Sequence, residues 1–369
     1  MLSRLIGKIK KAGDCSVNRN IYIHIGISKT GTTAIQKFFH KNSEMLASKG
    51  FHYVRGGRAE GGACHHHLAR LYKSGNARRE DVLALRDEMA QSDSHSFIIS
   101  SEMFEYLGPS QIKQLKRDFE GYTLILVVYL RYQDQALSSM YNELVKKHAC
   151  ATSFSEHVRE TPRKGLLLYG KMLKQWEKEF GRNNIRVRVY DRERLRGGNV
   201  IEDMCVTIGM DVRDINIPDS SANPSISAAA IHLLRDINSH MDYSIDHAEH
   251  YGLACKLAFT LDKLIRNEFP CFDHNASSYF PSCGEYDELM EYYRRDNLRI
   301  SRRYLSGEGF SEREFSSAKE LTDGSKRDVL IALAEKLGIP RDCDKMEVAA
   351  LTRLIAEFWS GELRRLCKS

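Results

Sequence analysis

The fold is decided by residues 21–33, which read Ile-Tyr-Ile-His-Ile-Gly-Ile-Ser-Lys-Thr-Gly-Thr-Thr. The first six residues are β-branched, aromatic or small, a run that is typical of a buried strand. A loop of small and hydroxylated residues follows, bracketed by Gly26 and Gly31. Behind the loop, apolar residues at helical spacing predict a helix that Gly50 closes. A strand, a glycine-containing loop and a helix, in this order, predict a site for a phosphate-like anion.

The loop carries the groups that such an anion needs. The N–H groups of the first helical turn have no partner within the helix, and the helix dipole adds positive potential there. Lys29 supplies a full charge, and the neighbouring hydroxyls can donate hydrogen bonds to anion oxygens. The alternative is a glycine-rich turn without a ligand. The predicted anion-binding residues are Ser28, Lys29, Thr30, Gly31, Thr32 and Thr33.

The order of residues separates this loop from the common nucleotide-binding loop. That motif, G-x-x-x-x-G-K-[ST], has its lysine directly after the second glycine. Here Lys29 lies two residues before the second glycine, Gly31. This order, on the first strand, resembles the 5′-phosphosulfate loop of the sulfotransferases that use 3′-phosphoadenosine 5′-phosphosulfate. The resemblance implies that this nucleotide is the sulfuryl donor.

A second segment carries the resemblance further. Residues 122–130 form an uninterrupted apolar run, which predicts a parallel strand buried on both faces. Arg131 follows at once, and Ser139 lies in a predicted helix over residues 135–147. An arginine and a hydroxyl can bind one phosphate together, and Arg131 eight residues before Ser139 resembles the family's 3′-phosphate motif. The family often has proline after the arginine, where this chain has Tyr132; a salt bridge at the sheet edge is the alternative.

Residues 297–305 form a late basic segment. In proteins of this family such a segment commonly closes over the nucleotide, so the resemblance implies that Arg302 or Arg303 reaches the 3′-phosphate. We predict Arg303 as the contact. A solvated helix face is the alternative.

Residues 96–104 are an apolar run that ends in polar residues, and they supply the candidate general base. In open α/β sheets the ligand site lies at the carboxyl ends of the strands. A carboxylate at Glu102 would therefore be well placed to act as the base. The alternative is that Glu102 only starts or caps the next helix. His65 and His66 are the alternative bases. Adjacent helical histidines point in different directions, and no second Cys/His cluster has ligand spacing, so we expect no metal. The predicted catalytic residues are Glu102, Lys29 and His66.

Composition narrows the class of protein. The chain has 369 residues and a net charge of +6, a mild surplus that suits an anionic cofactor and does not indicate nucleic-acid binding. Nine cysteines without a C-x-x-C pair predict reduced thiols and a cytoplasmic protein. No stretch reaches the ~20 apolar residues of a membrane span. Residues 1–20 are basic and partly amphipathic, which predicts either weak contact with an anionic membrane surface or a solvated leader.

These patterns predict an α/β protein with a P-loop-like central parallel sheet, flanked by helices and followed by a helical C-terminal extension. We expect a leader over residues 1–20 and a sulfotransferase-like domain over 21–310. Within it, 21–212 would form the core and 213–310 a helical part that covers acceptor and cofactor. Residues 311–369 would form a helical appendage.

The predicted function is in-line transfer of a sulfuryl group from 3′-phosphoadenosine 5′-phosphosulfate to a hydroxyl or amine, which releases adenosine 3′,5′-bisphosphate. By analogy with the family, the acceptor is a carbohydrate. One alternative is a P-loop kinase or NTPase, which would be expected to carry Gly-Lys-Ser/Thr and a strand that ends in aspartate. Another is a nucleotide-binding protein without catalysis. The sequence leaves open the acceptor, the position sulfated and the oligomeric state.

Overall fold

The computed structural model describes residues 19–27, 29–59, 61–218, 226–241, 247–268, 279–309, 321–339 and 343–366. The chain forms two compact units. The first is drawn from Met1–Leu130 and Lys171–Ile217, and the second from Arg131–Gly170 and Pro218–Ser369. The domain boundaries predicted from the sequence stay predictions.

The first unit is built on a parallel sheet, as predicted, and the α/β class is confirmed. Five described strands lie in the order β2-β3-β1-β4-β5, and every neighbouring pair is parallel. Ile23 of β1 lies in register with Ile99 of β3 and Leu126 of β4. Because the strands are parallel, their carboxyl ends share one edge of the sheet. The strands are β1 Asn20–Gly26, β2 Phe51–Tyr53, β3 Ser96–Ser100, β4 Thr123–Leu130 and β5 Ile185–Val189.

The helices, described in chain order, alternate with these strands and then continue to the end of the chain. They are α1 Thr32–Lys41, α2 Ser43–Ser48, α3 His66–Ser74, α4 Arg79–Gln91, α5 Pro109–Asp118, α6 Gln133–Lys147, α7 Phe154–Arg163, α8 Tyr169–Phe180, α9 Val200–Thr207, α10 Ala228–Asn238, α11 His247–Glu268, α12 Cys283–Tyr304, α13 Asp323–Lys336 and α14 Val348–Leu366.

Burial explains why these segments become strands and where α1 packs. Six of the seven residues of β1 and seven of the eight of β4 are buried, which is expected for interior strands that are covered on both faces. Helices α1 and α9 cover one face, where Phe39 and Met204 share an apolar cluster with Tyr129 of β4. This packing fixes the start of α1 against the carboxyl ends of β1 and β3.

The helix predicted behind the loop is interrupted in the structure. Helix α1 ends at Lys41 and α2 begins at Ser43, with Asn42 between them. The Asn42 side-chain amide donates to the Phe38 carbonyl oxygen at 2.7 Å, and its backbone N–H donates to the same oxygen at 3.1 Å. The asparagine therefore satisfies the end of α1 and lets the chain change direction before Gly50.

The second unit is helical where it is described. Its core combines apolar side chains of five helices: Leu137 of α6, Ile231 of α10, Leu261 of α11, Leu333 of α13 and Ile355 of α14. Within the described ranges, no helix combines the length and apolar character that a membrane crossing requires.

Candidate functional site

The loop between β1 and α1 has an unusual backbone. Lys29 and Gly31 both have a positive φ, 73° and 74°. For a lysine this left-handed conformation is strained, at a cost of about 1–3 kcal/mol, and such strain concentrates at functional sites. Ser28, one of the predicted anion-binding residues, lies outside the described residues. Alternating backbone conformations of this kind turn successive N–H groups toward a common point, where they can bind an anion.

The threonines of the loop lie in different environments. Thr30 is buried and donates its hydroxyl hydrogen to the Ile27 carbonyl oxygen at 2.6 Å, which closes the loop on itself. Thr33 is exposed on the first turn of α1. Gly31, directly before α1, has no side chain that could cap the helix. The contacts of Thr30, Gly31 and Thr33 with a cofactor stay predictions.

Gly26 and Gly31 are required by close packing. A Cβ on Gly26 would overlap the Thr32 side chain and lie 3.3 Å from Cγ of Glu102. A Cβ on Gly31 would lie 2.9 Å from Cγ1 of Val200 and 3.1 Å from the Tyr190 ring, in addition to the positive φ. The loop therefore packs tightly against the start of α9 and against Tyr190, which directly follows β5.

The Glu102 carboxylate is held at the start of α1. The Thr32 hydroxyl donates to its Oε1, and Gln36 Nε2 donates to its Oε2 at 3.1 Å. Nε2 of His66 lies 3.4 Å from the same Oε2. Glu102 is the first residue of a 3-10 helix that ends at Tyr106, and Ser101 caps this helix by accepting from the Met103 N–H. The structure thus brings together three predicted residues: Glu102, Thr32 and His66.

These contacts keep Glu102 ionised. Burial alone would raise the pKa of Glu102, but the hydrogen bonds from Thr32 and Gln36, with a smaller contribution from the charge on His66, hold it below its ordinary value. The Glu102 side chain is 21% exposed to solvent. Glu102 is therefore a partly accessible carboxylate anion at neutral pH, which is the state that a proton acceptor needs.

The two neighbouring histidines have different roles. His65 is fully buried; its Nε2 donates to the Val54 carbonyl oxygen at 2.7 Å, and its Nδ1 accepts from the Ser100 N–H at 3.1 Å. Both ring nitrogens are thus used inside the protein, and burial lowers the pKa of His65 to about 4. His65 is consequently a structural histidine and not an available base.

His66 is 30% exposed and faces Glu102. Its Nδ1 lies 2.7 Å from Oγ of Ser101, which already accepts from the Met103 N–H at 3.1 Å. Nε2 of His66 faces Oε2 of Glu102, so that an imidazole protonated at Nε2 can donate to the carboxylate. The geometry favours His66 as a partner that orients Glu102, and its catalytic role stays a prediction.

A buried polar chain links Glu102 to the sheet, and sequence reasoning missed it. Gln36 also donates to Oγ of Ser100 at 3.3 Å, and that hydroxyl lies 2.8 Å from Nδ1 of His24 in β1. His24 is fully buried, and this burial lowers its pKa to about 4. The one available signal was the spacing of Thr32 and Gln36, two polar residues four apart on the buried face of α1.

The other predicted cofactor residues belong to the second unit. Arg131 directly follows β4, and its carbonyl oxygen accepts from the Tyr169 hydroxyl at 2.8 Å. Ser139 is half-buried on α6, and Arg303 is exposed in the last turn of α12. The start of α6 is held to α12 by two hydrogen bonds between the side-chain amides of Gln133 and Asn297, at 2.7 and 3.0 Å. Arg131, Ser139 and Arg303 stay predicted contacts.

Together these groups place the loop that is predicted to bind an anion next to an ionised carboxylate. Lys29 and the N–H groups of α1 can neutralise a phosphate, and Glu102 can accept a proton from a molecule bound beside it. Among the described residues, no group of three or more His, Cys, Asp or Glu side chains is placed to hold a metal ion. The arrangement is suited to group transfer from a phosphate-containing donor.

Comparison with known proteins gives limited similarity. No family model matches the chain. An uncharacterized protein of Archaeoglobus fulgidus is 28% identical over 248 residues, and the match covers 60% of this chain and 67% of that protein. The crystal structure of a sulfotransferase from Alicyclobacillus acidocaldarius is 15% identical, and the match covers 56% of this chain and 87% of that one with a TM-score of 0.38.

A second carboxyl, Glu105, predicts a pH-dependent stability. It is half-buried, and burial raises its pKa from 4.5 to about 7. Because the raised pKa belongs to the folded state, its contribution to stability is full below about pH 4.5 and is lost as the pH rises through about 7. We expect Glu105→Gln, which stays neutral, to gain thermal stability over the wild type as the pH is raised across this range. Unfolding midpoints measured across it test this, with exposed Glu44→Gln as the control; a pH-independent difference would contradict it.

Proposed function

We propose that this protein transfers a sulfuryl group from 3′-phosphoadenosine 5′-phosphosulfate to an acceptor hydroxyl. The proposal is carried by one observation: an ionised carboxylate, Glu102, is hydrogen-bonded to Thr32, the first residue of the helix that follows the Lys29 loop. The loop that is proposed to bind the donor phosphate is therefore joined to the proposed proton acceptor by one hydrogen bond. The order of glycine and lysine in the loop, which resembles that of sulfotransferases, supports the same donor.

In an in-line transfer, each of these residues would have a separate role. Lys29 and the loop N–H groups neutralise the leaving phosphate. Glu102 accepts the proton of the acceptor hydroxyl while the oxygen of that hydroxyl bonds to sulfur. At the same time the bond between sulfur and the phosphate oxygen breaks. Gln36 and His66 fix the carboxylate so that its orientation is set before the acceptor binds. Arg131, Ser139 and Arg303 would hold the 3′-phosphate.

For the acceptor, we propose a carbohydrate. This part rests on the analogy with sulfotransferases and on the need for a proton-accepting carboxylate. The hydroxyl of a sugar has a high pKa, so that its attack on sulfur gains from a base in contact with it. A cytoplasmic location also stays a proposal, supported by the unpatterned cysteines of the sequence.

Removing the charge of Lys29 tests the proposed donor site. A charge-assisted hydrogen bond is worth about 1.5–3 kcal/mol, so Lys29→Ala should weaken adenosine 3′,5′-bisphosphate binding by about 10–100-fold. Arg131→Ala should weaken it by a similar factor, because Arg131 is the proposed contact of the 3′-phosphate. Isothermal titration calorimetry measures both.

Two further variants separate charge from backbone strain. Lys29→Gly accepts the φ of 73° without strain, and it should fold at least as well as the wild type but bind the bisphosphate as weakly as Lys29→Ala. Lys37→Ala removes an exposed lysine on α1 and should leave binding unchanged. Undiminished affinity in both Lys29 variants would rule out this loop as the donor site.

A second candidate, magnesium-dependent phosphoryl transfer, is favoured by the same Thr32–Glu102 contact. In P-loop NTPases a loop Ser or Thr and an acidic residue hold the magnesium ion together. The order of lysine and glycine in this loop disfavours that function. ATP hydrolysis that requires magnesium and is lost in Thr32→Val would support it over sulfuryl transfer.

A further inference from the structure

An arginine-rich hollow lies beside β5, the last strand at one edge of the sheet. Its volume is about 410 Å³, and it is lined by residues of β5, of α9 and of the segment between them. Four arginines contribute to the lining: Arg186 and Arg188 of β5, and Arg194 and Arg196 of the segment that follows. All four belong to the first unit, and the proposed sulfuryl transfer uses none of them.

Two of these arginines are held in place by their neighbours. Arg188 donates from Nε to Oδ1 of Asp203 at 2.9 Å, and its Nη2 donates to Oδ2 of the same carboxylate. Arg186 donates to the Thr207 carbonyl oxygen, and its guanidinium lies 5.3 Å from the centre of the Tyr22 ring. Because both guanidinium groups are already ordered, an anion that binds them would lose little affinity to side-chain ordering.

The positive charge of the hollow exceeds its negative charge. Among the described residues that line it, Asp203 is the only carboxylate. Asp203 is buried and, besides binding Arg188, accepts from the Tyr129 hydroxyl at 2.7 Å and from the Arg196 N–H at 2.9 Å. The Arg196 side chain lies 3.7 Å from Glu202 but is 70% exposed, so this pair is weak. Four guanidinium charges thus face one carboxylate, and the excess of three positive charges favours a bound anion.

The chemistry of the arginines selects the kind of anion. A planar guanidinium can donate two parallel hydrogen bonds to the oxygens of a phosphate group. One phosphate group carries about 1.5 to 2 negative charges at neutral pH, so that two linked groups roughly balance the excess of three. A single carboxylate would leave most of that excess. Among the described lining residues, none has an aromatic ring on which a nucleobase could stack.

We propose that this hollow binds a diphosphate group, at a site separate from the Lys29 loop. The loop packs against Val200, the first residue of α9, whereas Arg186 is anchored at Thr207, the last residue of that helix. Free pyrophosphate and the diphosphate of ADP present the same oxygens to the arginines. Since the hollow has no stacking surface for a base, we expect pyrophosphate to bind at least as tightly as ADP.

The test is isothermal titration calorimetry with pyrophosphate and with ADP on the full-length Lys29→Gly variant, in which the competing loop has lost its charge. Adding Arg194→Ala and Arg196→Ala together should weaken pyrophosphate binding by about tenfold or more. Within the described part of the chain neither side chain donates a hydrogen bond, so this variant should keep the unfolding midpoint of its parent. Adding Arg192→Ala instead removes an exposed arginine outside the hollow and should leave the affinity unchanged.

Binding of either compound that falls in the Arg194/Arg196 variant and not in the Arg192 variant supports the site, and the tighter compound identifies the source of the diphosphate. An equal loss in the Arg192 variant would indicate general attraction by positive charge and would overturn the proposal. No binding of either compound, or binding that the double substitution leaves unchanged, would also overturn it. The arginines would then serve to keep the open edge of β5 from pairing with another strand.

Discussion

Replacing Glu102 with glutamine should lower the rate of sulfuryl transfer by about 10²–10⁴-fold, the usual contribution of a general base. Glutamine keeps the size of the side chain and can still accept a hydrogen bond from Thr32, but it cannot take up a proton. The affinity for adenosine 3′,5′-bisphosphate should therefore stay close to that of the wild type. Transfer is measured with donor labelled in the sulfuryl group, against a panel of sugars.

Glu44→Gln is the control for this variant, because Glu44 is exposed on α2. The pH profile gives a second readout. Since hydrogen bonds hold the pKa of Glu102 below its ordinary value of 4.5, the rate should be insensitive to this group at neutral pH and should fall only at more acidic pH. Full activity in Glu102→Gln would show that another group accepts the proton.

Gly26→Ala should impair the site through packing alone. The added methyl group would overlap Thr32 and lie 3.3 Å from Cγ of Glu102. Overpacking of this kind costs about 1–3 kcal/mol, and Thr32 would have to move away from the carboxylate it binds. We expect a lower unfolding midpoint and the loss of most bisphosphate binding, measured by thermal unfolding and calorimetry.

A second substitution, Thr32→Ser, tests whether the clash with Thr32 causes these effects. Thr32→Ser keeps the hydroxyl and removes the methyl group that the new side chain would strike, so the double variant should recover part of the binding. Gly361→Ala adds a methyl group inside α14 where no atom lies within 4 Å; it should leave bisphosphate binding unchanged and should not lower the unfolding midpoint. Unchanged stability and binding in Gly26→Ala would mean that the loop packs differently.

The strands could be predicted because their signals are local. The apolar runs at residues 21–26 and 122–130 identified β1 and β4, and the position of Glu102 after a third such run predicted a carboxylate near the loop. The pattern at 185–190 alternates, and β5 alternates in burial in the same way. In each case a few consecutive residues contain the whole signal.

The details of the site were less predictable because they depend on packing between distant segments. Gln36 meets Glu102 only because α1 lies against the end of β3, and the two residues are 66 positions apart. His65 and His66 are adjacent in sequence, yet one turns into the protein and the other toward Glu102. The positive φ of Lys29 is equally invisible in the sequence, since lysine rarely adopts it.

We propose that the Lys29 loop holds a sulfuryl donor beside Glu102. The most direct measurement is formation of a labelled sulfate ester from 3′-phosphoadenosine 5′-phosphosulfate, with EDTA present and with ATP and magnesium tested in parallel. We predict ester formation in EDTA that is lost in both Lys29→Ala and Glu102→Gln. Magnesium-dependent ATP hydrolysis, with no ester above the level of the Glu102→Gln variant, would contradict sulfuryl transfer by this protein.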